Sequence, residues 1–202
     1  YYIATGQVTQ FSPLFAYYST QEIDGLAGAD NGSTIYGGAQ SARTRGSCPL
    51  EVMPYPNPCR YNWHLPEKAI QAAAPFKVRT TIEMKSERDV FKFIASGQGG
   101  VGAGIRWLDS MTPNSEGLIT EFRGSRGGGH AIPLLGYTKR KATDGRNFYL
   151  LPNSWSQTWG INGWAEVHPK VVDAWFADSF TVIYGFSDLT TPTPRKIDYA
   201  LW

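Results

Sequence analysis

The feature that most constrains this chain is a change of texture near residue 75. Before it, the sequence is rich in glycine, proline and small polar residues and has room only for short helices. After it come several short apolar or β-branched runs. The alternation Lys77, Val78, Arg79, Thr80, Thr81, Ile82 predicts a strand. Further strands are expected over Val101 to Trp107, Gly117 to Phe122, His130 to Gly136, Phe148 to Pro152, Trp164 to Val167 and Phe180 to Ile183. Many strands after little helix point to the α+β class, with a sheet or barrel in the second half. A chain of 202 residues and 22.3 kDa suits one domain or two small lobes, and is too short for a larger multidomain protein.

Local signals punctuate this outline. Ser12-Pro13 is an N-cap followed by proline at the first helical position, which predicts a short helix over Pro13 to Ser19. Gly25 to Gly38 reads as loop, Ala39 to Arg45 as a short polar helix, and Cys48 to Pro66 as irregular, proline-pinned chain. Ser86-Glu87-Arg88-Asp89 resembles a capping box that opens a helix carrying Val90, Phe91, Phe93 and Ile94, closed by Gly97. Tyr1 to Gly6 reads as the last turn of a helix with its glycine cap, begun upstream of this chain.

Composition excludes several classes of function. Nineteen basic and 17 acidic side chains leave a formal charge of +2, too weak a field to gather nucleic acid or an acidic membrane. No run of about eighteen apolar residues is present, so no transmembrane helix is expected. His64 and His168 lack ligand-like partners at short spacing, and His168 before Pro169 is expected to face solvent. Gly97 to Gly104 is glycine-rich but lacks the Lys-Ser/Thr of a phosphate-binding loop. Neither a metal nor another cofactor is expected.

The informative histidine is His130. It follows Gly127-Gly128-Gly129 and opens Ala131-Ile132-Pro133-Leu134-Leu135-Gly136-Tyr137, placing it where a glycine-rich loop enters a buried strand. Asn153 stands at the end of another expected strand, in Asn153-Ser154-Trp155-Ser156-Gln157-Thr158-Trp159-Gly160-Ile161-Asn162-Gly163-Trp164. If the two meet, the amide oxygen of Asn153 accepts from one imidazole nitrogen and fixes the tautomer. The other nitrogen is then left for a nucleophile or a proton in transfer.

These two segments, in this order and spacing, resemble the histidine and asparagine segments of the papain-like cysteine peptidases. Weaker likeness extends further: Gly37-Gly38 resembles the paired glycines that bind an extended substrate backbone, Met53-Pro54-Tyr55-Pro56 a following turn, and Gly100 to Ile105 the first long strand of the second lobe. Val167 to Ile183 resembles the helix-then-strand ending of bacterial and viral members. The resemblance implies a papain-like two-lobe α+β fold. A truncated helical left lobe would span 1–80, a β-barrel-like right lobe 81–189, and a tail 190–202. His130 would be the general base and ion-pair partner of a thiolate, Asn153 its orienter, Trp155 a shield over their hydrogen bond and Trp159 a wall on the leaving-group side. A peptide or protein substrate would lie in the cleft between the lobes, along Gly37 and Gly38. Ser156 replaces a glycine usual in the family. Gly104, Gly128 and Gly129 stand where the family places larger side chains bordering the specificity pocket or the histidine, which implies an enlarged or less defined pocket.

The nucleophile is the gap in this pattern. In the family it lies about 130 to 150 residues before the histidine, ahead of residue 1 here. Cys48, followed by Pro49, and Cys59, followed by Arg60, both fall in the proline-rich segment and match nothing at that position. They read first as a local disulfide, with two free buried thiols a close alternative, so the compartment stays open. Two functions follow from the resemblance. One is a thiol hydrolase of peptide or related amide bonds, its cysteine in an N-terminal segment upstream of residue 1. The other is a non-catalytic papain-like module of a larger assembly such as a virus or envelope particle, with residues 190–202 docking to an assembly partner.

Overall fold

The computed structural model describes residues 8–55, 64–125 and 127–189. The expected end of a helix at Tyr1 to Gly6, Cys59 and the 190–202 tail lie outside them. The chain divides into two units. One takes in the described residues up to Thr81 and those from Phe186 onward, and the other runs Ile82–Gly185.

In the first unit, helix α1 spans Pro13–Asp24. Ser12 caps it, its Oγ accepting from the Phe15 N–H at 3.0 Å, and Gly25 ends it at φ +70°. The helix outruns the expected Ser19 because no residue before Gly25 requires a left-handed backbone and because Gln21 is buried rather than left in a loop. Helix α2, Ile35–Thr44, begins four residues earlier than composition indicated, since Thr34 supplies a cap whose Oγ accepts from Gly37. Buried Ser19 and Ser41 join α1 to α2 through a 2.6 Å hydroxyl contact. Helix α3 spans Glu67–Ala73 and runs into a single 3-10 turn, Ala74–Phe76. Leu14, Phe15, Tyr18, Met53, Ala69 and Ala73 form the core of this unit around Cys48. Cys48 is a free, buried thiol.

Strand β1, Val78–Glu83, leads toward the second unit. There α4, Glu87–Ala95, opens on the expected box: Ser86 Oγ accepts from the Asp89 N–H at 3.2 Å and donates to its carboxylate at 2.8 Å. The strands that follow are β2 (Val101–Arg106), β3 (Leu118–Ile119), β4 (Gly129–Leu134), β5 (Gly136–Lys141), β6 (Asn147–Pro152), β7 (Trp164–Val167) and β8 (Val182–Leu189). They form two four-stranded sheets, ordered β1-β8-β2-β4 and β3-β7-β6-β5. The chain passes from one sheet to the other at Leu135, whose N–H bonds Leu150 O at 3.0 Å. Strand β5 escaped the sequence reading because its alternating pattern is almost wholly polar, with one face in solvent.

Alternation on β2 sends Val101, Ala103 and Ile105 into a core shared with Ile132 and Leu134 of β4, Leu151 of β6 and Ile183 of β8. Each valine, leucine or isoleucine among them contributes about 1.5–3 kcal/mol by burial. Helix α5, Pro169–Ala177, adds Val171, Val172 and Trp175. Glu87, Tyr149 and Arg146 pin α4 to β6. The Tyr149 hydroxyl donates to Glu87, and Arg146 pairs with Glu87 at 3.2 Å and with Asp173 of α5 at 2.8 Å. Burial and the adjacent Glu87 carboxylate push the Tyr149 hydroxyl well above its ordinary value, so it stays a donor.

His168 does not face solvent as expected. It is half-buried and caps α5, its Nδ1 accepting from the Lys170 N–H at 3.0 Å while its ring meets Phe148 edge-on. Burial holds its imidazole below the usual value, an effect that Asp144 opposes and Lys170 reinforces. The unfolded chain therefore binds the proton more readily. The stabilisation is complete above about pH 6.5 and is lost as pH falls through the folded-state value. The melting temperature should fall more between pH 7.5 and pH 5 for the native protein than for His168→Asn, which can cap without titrating. Equal declines would assign the pH dependence to other groups.

Candidate active site

His130 is the second residue of β4, paired with Ile105 of β2. Asn153 immediately follows β6. The two come together: His130 Nε2 lies 3.1 Å from Asn153 Oδ1. The same oxygen accepts from the Ser154 N–H at 2.8 Å. A backbone N–H can meet only the oxygen of a side-chain amide, so Ser154 fixes which way Asn153 faces. Oδ1 is purely an acceptor, so Nε2 must carry the hydrogen. In the neutral ring Nδ1 then keeps its lone pair, and it has no hydrogen-bond partner among the described residues. The amide Nδ2 of Asn153 is buried and likewise has no partner among them.

The loops delivering these side chains are tightly specified. A Cβ on Gly127 would stand 2.1 Å from Trp107 O, so only glycine lets the loop pass there. The loop is secured by the Trp107 N–H to Gly128 O at 3.0 Å. Beyond Asn153 the chain folds back through Gly160 and Gly163, both at positive φ, until the Asn153 N–H bonds Gly163 O at 2.9 Å. Ser156, the departure from the family's glycine, serves this turn, its Oγ accepting from the Thr158 N–H at 3.1 Å.

Aromatic rings enclose the imidazole. Trp155 stacks on it with centroids 4.9 Å apart and planes at 22°. Trp107 meets it edge to face at 5.2 Å and also contacts Trp155 at 4.9 Å and Trp159 at 6.0 Å. Trp155 is half exposed, at 50%, so it lies over the ring at the surface rather than in the core. Trp107 was not singled out from the sequence, where it is only the last residue of an expected strand. The signal was the register. With Arg106 opposite Gly129, the next residue must lie beside the loop that enters His130.

Gly37 and Gly38 require correction. They lie in the first turn of α2, where their N–H groups bond Thr34 Oγ at 2.9 Å and Thr34 O at 3.0 Å. Neither N–H is free for a substrate backbone. A Cβ on Gly37 would stand 2.2 Å from Asp24 Oδ1, so glycine there serves close approach to α1. Of Gly104, Gly128 and Gly129, the space beside Gly129 is occupied by the Phe180 ring. Among the described residues no group of three His, Cys, Asp or Glu side chains could hold a metal, and no helix is long and apolar enough to cross a membrane.

The family model described as papain family cysteine protease matches residues 18–178. Among curated proteins, rat cathepsin Q is 27% identical over 111 residues, 54% of this chain and 30% of its own length. An uncharacterized peptidase C1-like protein of Acanthamoeba polyphaga mimivirus is 24% identical over 93% of this chain and 62% of its own length. The matched stretches thus span less than two thirds of these relatives. Among solved structures, xylellain, a cysteine protease from Xylella fastidiosa, superposes with a TM-score of 0.68 at 18% identity, covering 91% of this chain and 72% of that one. A Carica candamarcensis cysteine protease gives 0.61 at 17% identity over 93% and 81%. These likenesses establish the papain-like α+β fold.

If Trp155 acts as a lid, Trp155→Ala should speed solvent exchange of the His130 ring N–H. It should also cost on the order of 1 kcal/mol in chemical denaturation, while Trp155→Phe preserves most of both. Unchanged exchange in the alanine variant would mean that Trp155 does not shield the bond.

Proposed function

Since the chain belongs to the papain family of cysteine proteases, we propose that it is the part of a thiol hydrolase that supplies the general acid and base, acting on peptide or related amide bonds. The observation that carries this reading is the 3.1 Å bond from His130 Nε2 to Asn153 Oδ1, which leaves Nδ1 open beneath Trp155. An imidazole so oriented can take a thiol proton at Nδ1 and hold the thiolate as an ion pair. When the thiolate adds to the substrate carbonyl and the tetrahedral intermediate collapses to a thioester, Nδ1–H gives its proton to the leaving amine. Water, deprotonated by the same nitrogen, then hydrolyses the thioester. Asn153 keeps the ring in one tautomer throughout, and Trp155 lowers the dielectric around the bond that does so.

The nucleophile in this reading is a cysteine outside these 202 residues. Cys48 does not suit the part: it is buried, its Sγ lies 3.4 Å from Pro49 O, and burial pushes its thiol up, away from the thiolate. Cys59 sits in the proline-rich segment before Arg60.

The test is labelling of the full-length protein by a thiol-directed electrophile at neutral pH, with and without His130→Ala. An unassisted thiol is only a few per cent ionised there, so the variant should label about tenfold or more slowly. Equal labelling would remove the ion-pair mechanism. Absence of any such cysteine in the full-length protein would favour a non-catalytic module, for which the 190–202 tail offers a docking element.

A further inference from the structure

Arg106 lies across the β2–β4 pair from Gly129, one step beyond the Ile105–His130 pair. Successive side chains on a strand alternate, so Arg106 shares a face with position 129 while the imidazole lies on the other. At position 129 there is no side chain, and the space is taken by Phe180 from the turn between α5 and β8. Its Cζ stands 2.7 Å from where a Cβ would be. The Arg106 guanidinium carbon lies 5.4 Å from the Phe180 ring centroid, and its Nε donates to Asp178 Oδ2 at 3.1 Å. The other carboxylate oxygen of Asp178 accepts from the Phe180 N–H at 2.9 Å. That backbone bond, with Arg106 alongside, holds the Asp178 carboxyl below its ordinary range, so it stays charged.

This arrangement restrains the arginine without using it up. Asp178 has committed one oxygen to Phe180 and meets Arg106 through Nε alone. Nη1 and Nη2, the end-on pair that matches a carboxylate, carry no hydrogen bond among the described residues, and the side chain is 44% exposed. An arginine held by a ring face and one hydrogen bond has already lost much of the rotamer freedom that binding would cost. β2 pairs with the histidine strand, and Arg106 stands one register step from the Ile105–His130 pair.

We propose that Arg106, braced by Asp178 and Phe180, recognises a carboxylate on the bound peptide, either an acidic side chain or a free C-terminus near the cleaved bond. This rests on the thiol hydrolase reading. The test uses the full-length protein and one peptide in three forms: neutral and amidated, the same with a free C-terminal carboxylate, and the same with Glu placed at each position flanking the cleaved bond. One carboxylate-bearing form should exceed the neutral one by roughly tenfold in kcat/KM, mainly through KM, and which form does so identifies the source. Arg106→Gln should abolish the preference and leave the neutral peptide unchanged, while Arg106→Lys keeps part of it. Equal kcat/KM for all forms in the native protein, or a loss in Arg106→Gln that ignores peptide charge, overturns the proposal. The native comparison decides alone if Arg106→Gln does not fold. Titrating isotope-labelled protein with the same peptides, while following the Gly129 amide and Arg106 Nε–H signals, separates the two readings. Charge-dependent shifts without turnover would sink the hydrolase and keep the carboxylate site, whereas turnover indifferent to charge would do the reverse.

Discussion

One oxygen atom organises the site. Asn153 Oδ1 accepts from the Ser154 N–H and from His130 Nε2, and these two demands leave the amide no alternative orientation and the imidazole no alternative tautomer. The surrounding structure is arranged to deliver that atom. β6 ends at Pro152, the following turn returns to Asn153 through Gly163 O, and the loop into β4 passes over the Trp107 carbonyl at a position only glycine can occupy. A displacement of either loop by an ångström would break a bond whose donor and acceptor come from different sheets.

Around this bond, indole rings lie on one side of the β2–β4 pair and a charge is positioned on the other. The indoles of Trp107 and Trp155 lie against the ring, and in the proposed mechanism they lower the dielectric around the His–Asn hydrogen bond. On the opposite face of the β2–β4 pair, Phe180 fills the gap left at Gly129 and steadies Arg106. The glycines before the histidine thus serve two different needs: Gly127 admits a close backbone approach, and Gly129 gives up its side-chain volume to an aromatic ring fifty-one residues further along.

How much of this was legible in the sequence depends on how local each cause is. Ser12 and Ser86 announce their helices because a cap is a contact over three residues, and both act as the spacing indicates. The strands that line the core were visible because burial on one face forces alternation. The His130–Asn153 pair was legible through the resemblance of the segments around it to those of the papain-like peptidases. What escaped depended on distant partners. Gly37 and Gly38 look like loop glycines until Asp24 is seen behind Gly37 and Thr34 is seen capping α2. Trp107 and Phe180 reach the site only through strand register and a distant turn. His168 reads as a surface residue until its lone pair is needed at the start of α5.

The central claim is that His130 is held as the Nε2–H tautomer with Nδ1 open for a thiol. The most direct measurement is the nitrogen-15 chemical shifts of the His130 ring in labelled protein at a pH where the ring is neutral. The account predicts a protonated, slowly exchanging Nε2 and an unprotonated Nδ1, with that preference lost in Asn153→Ala. A ring protonated at Nδ1, or a mixture of tautomers insensitive to Asn153, would contradict it.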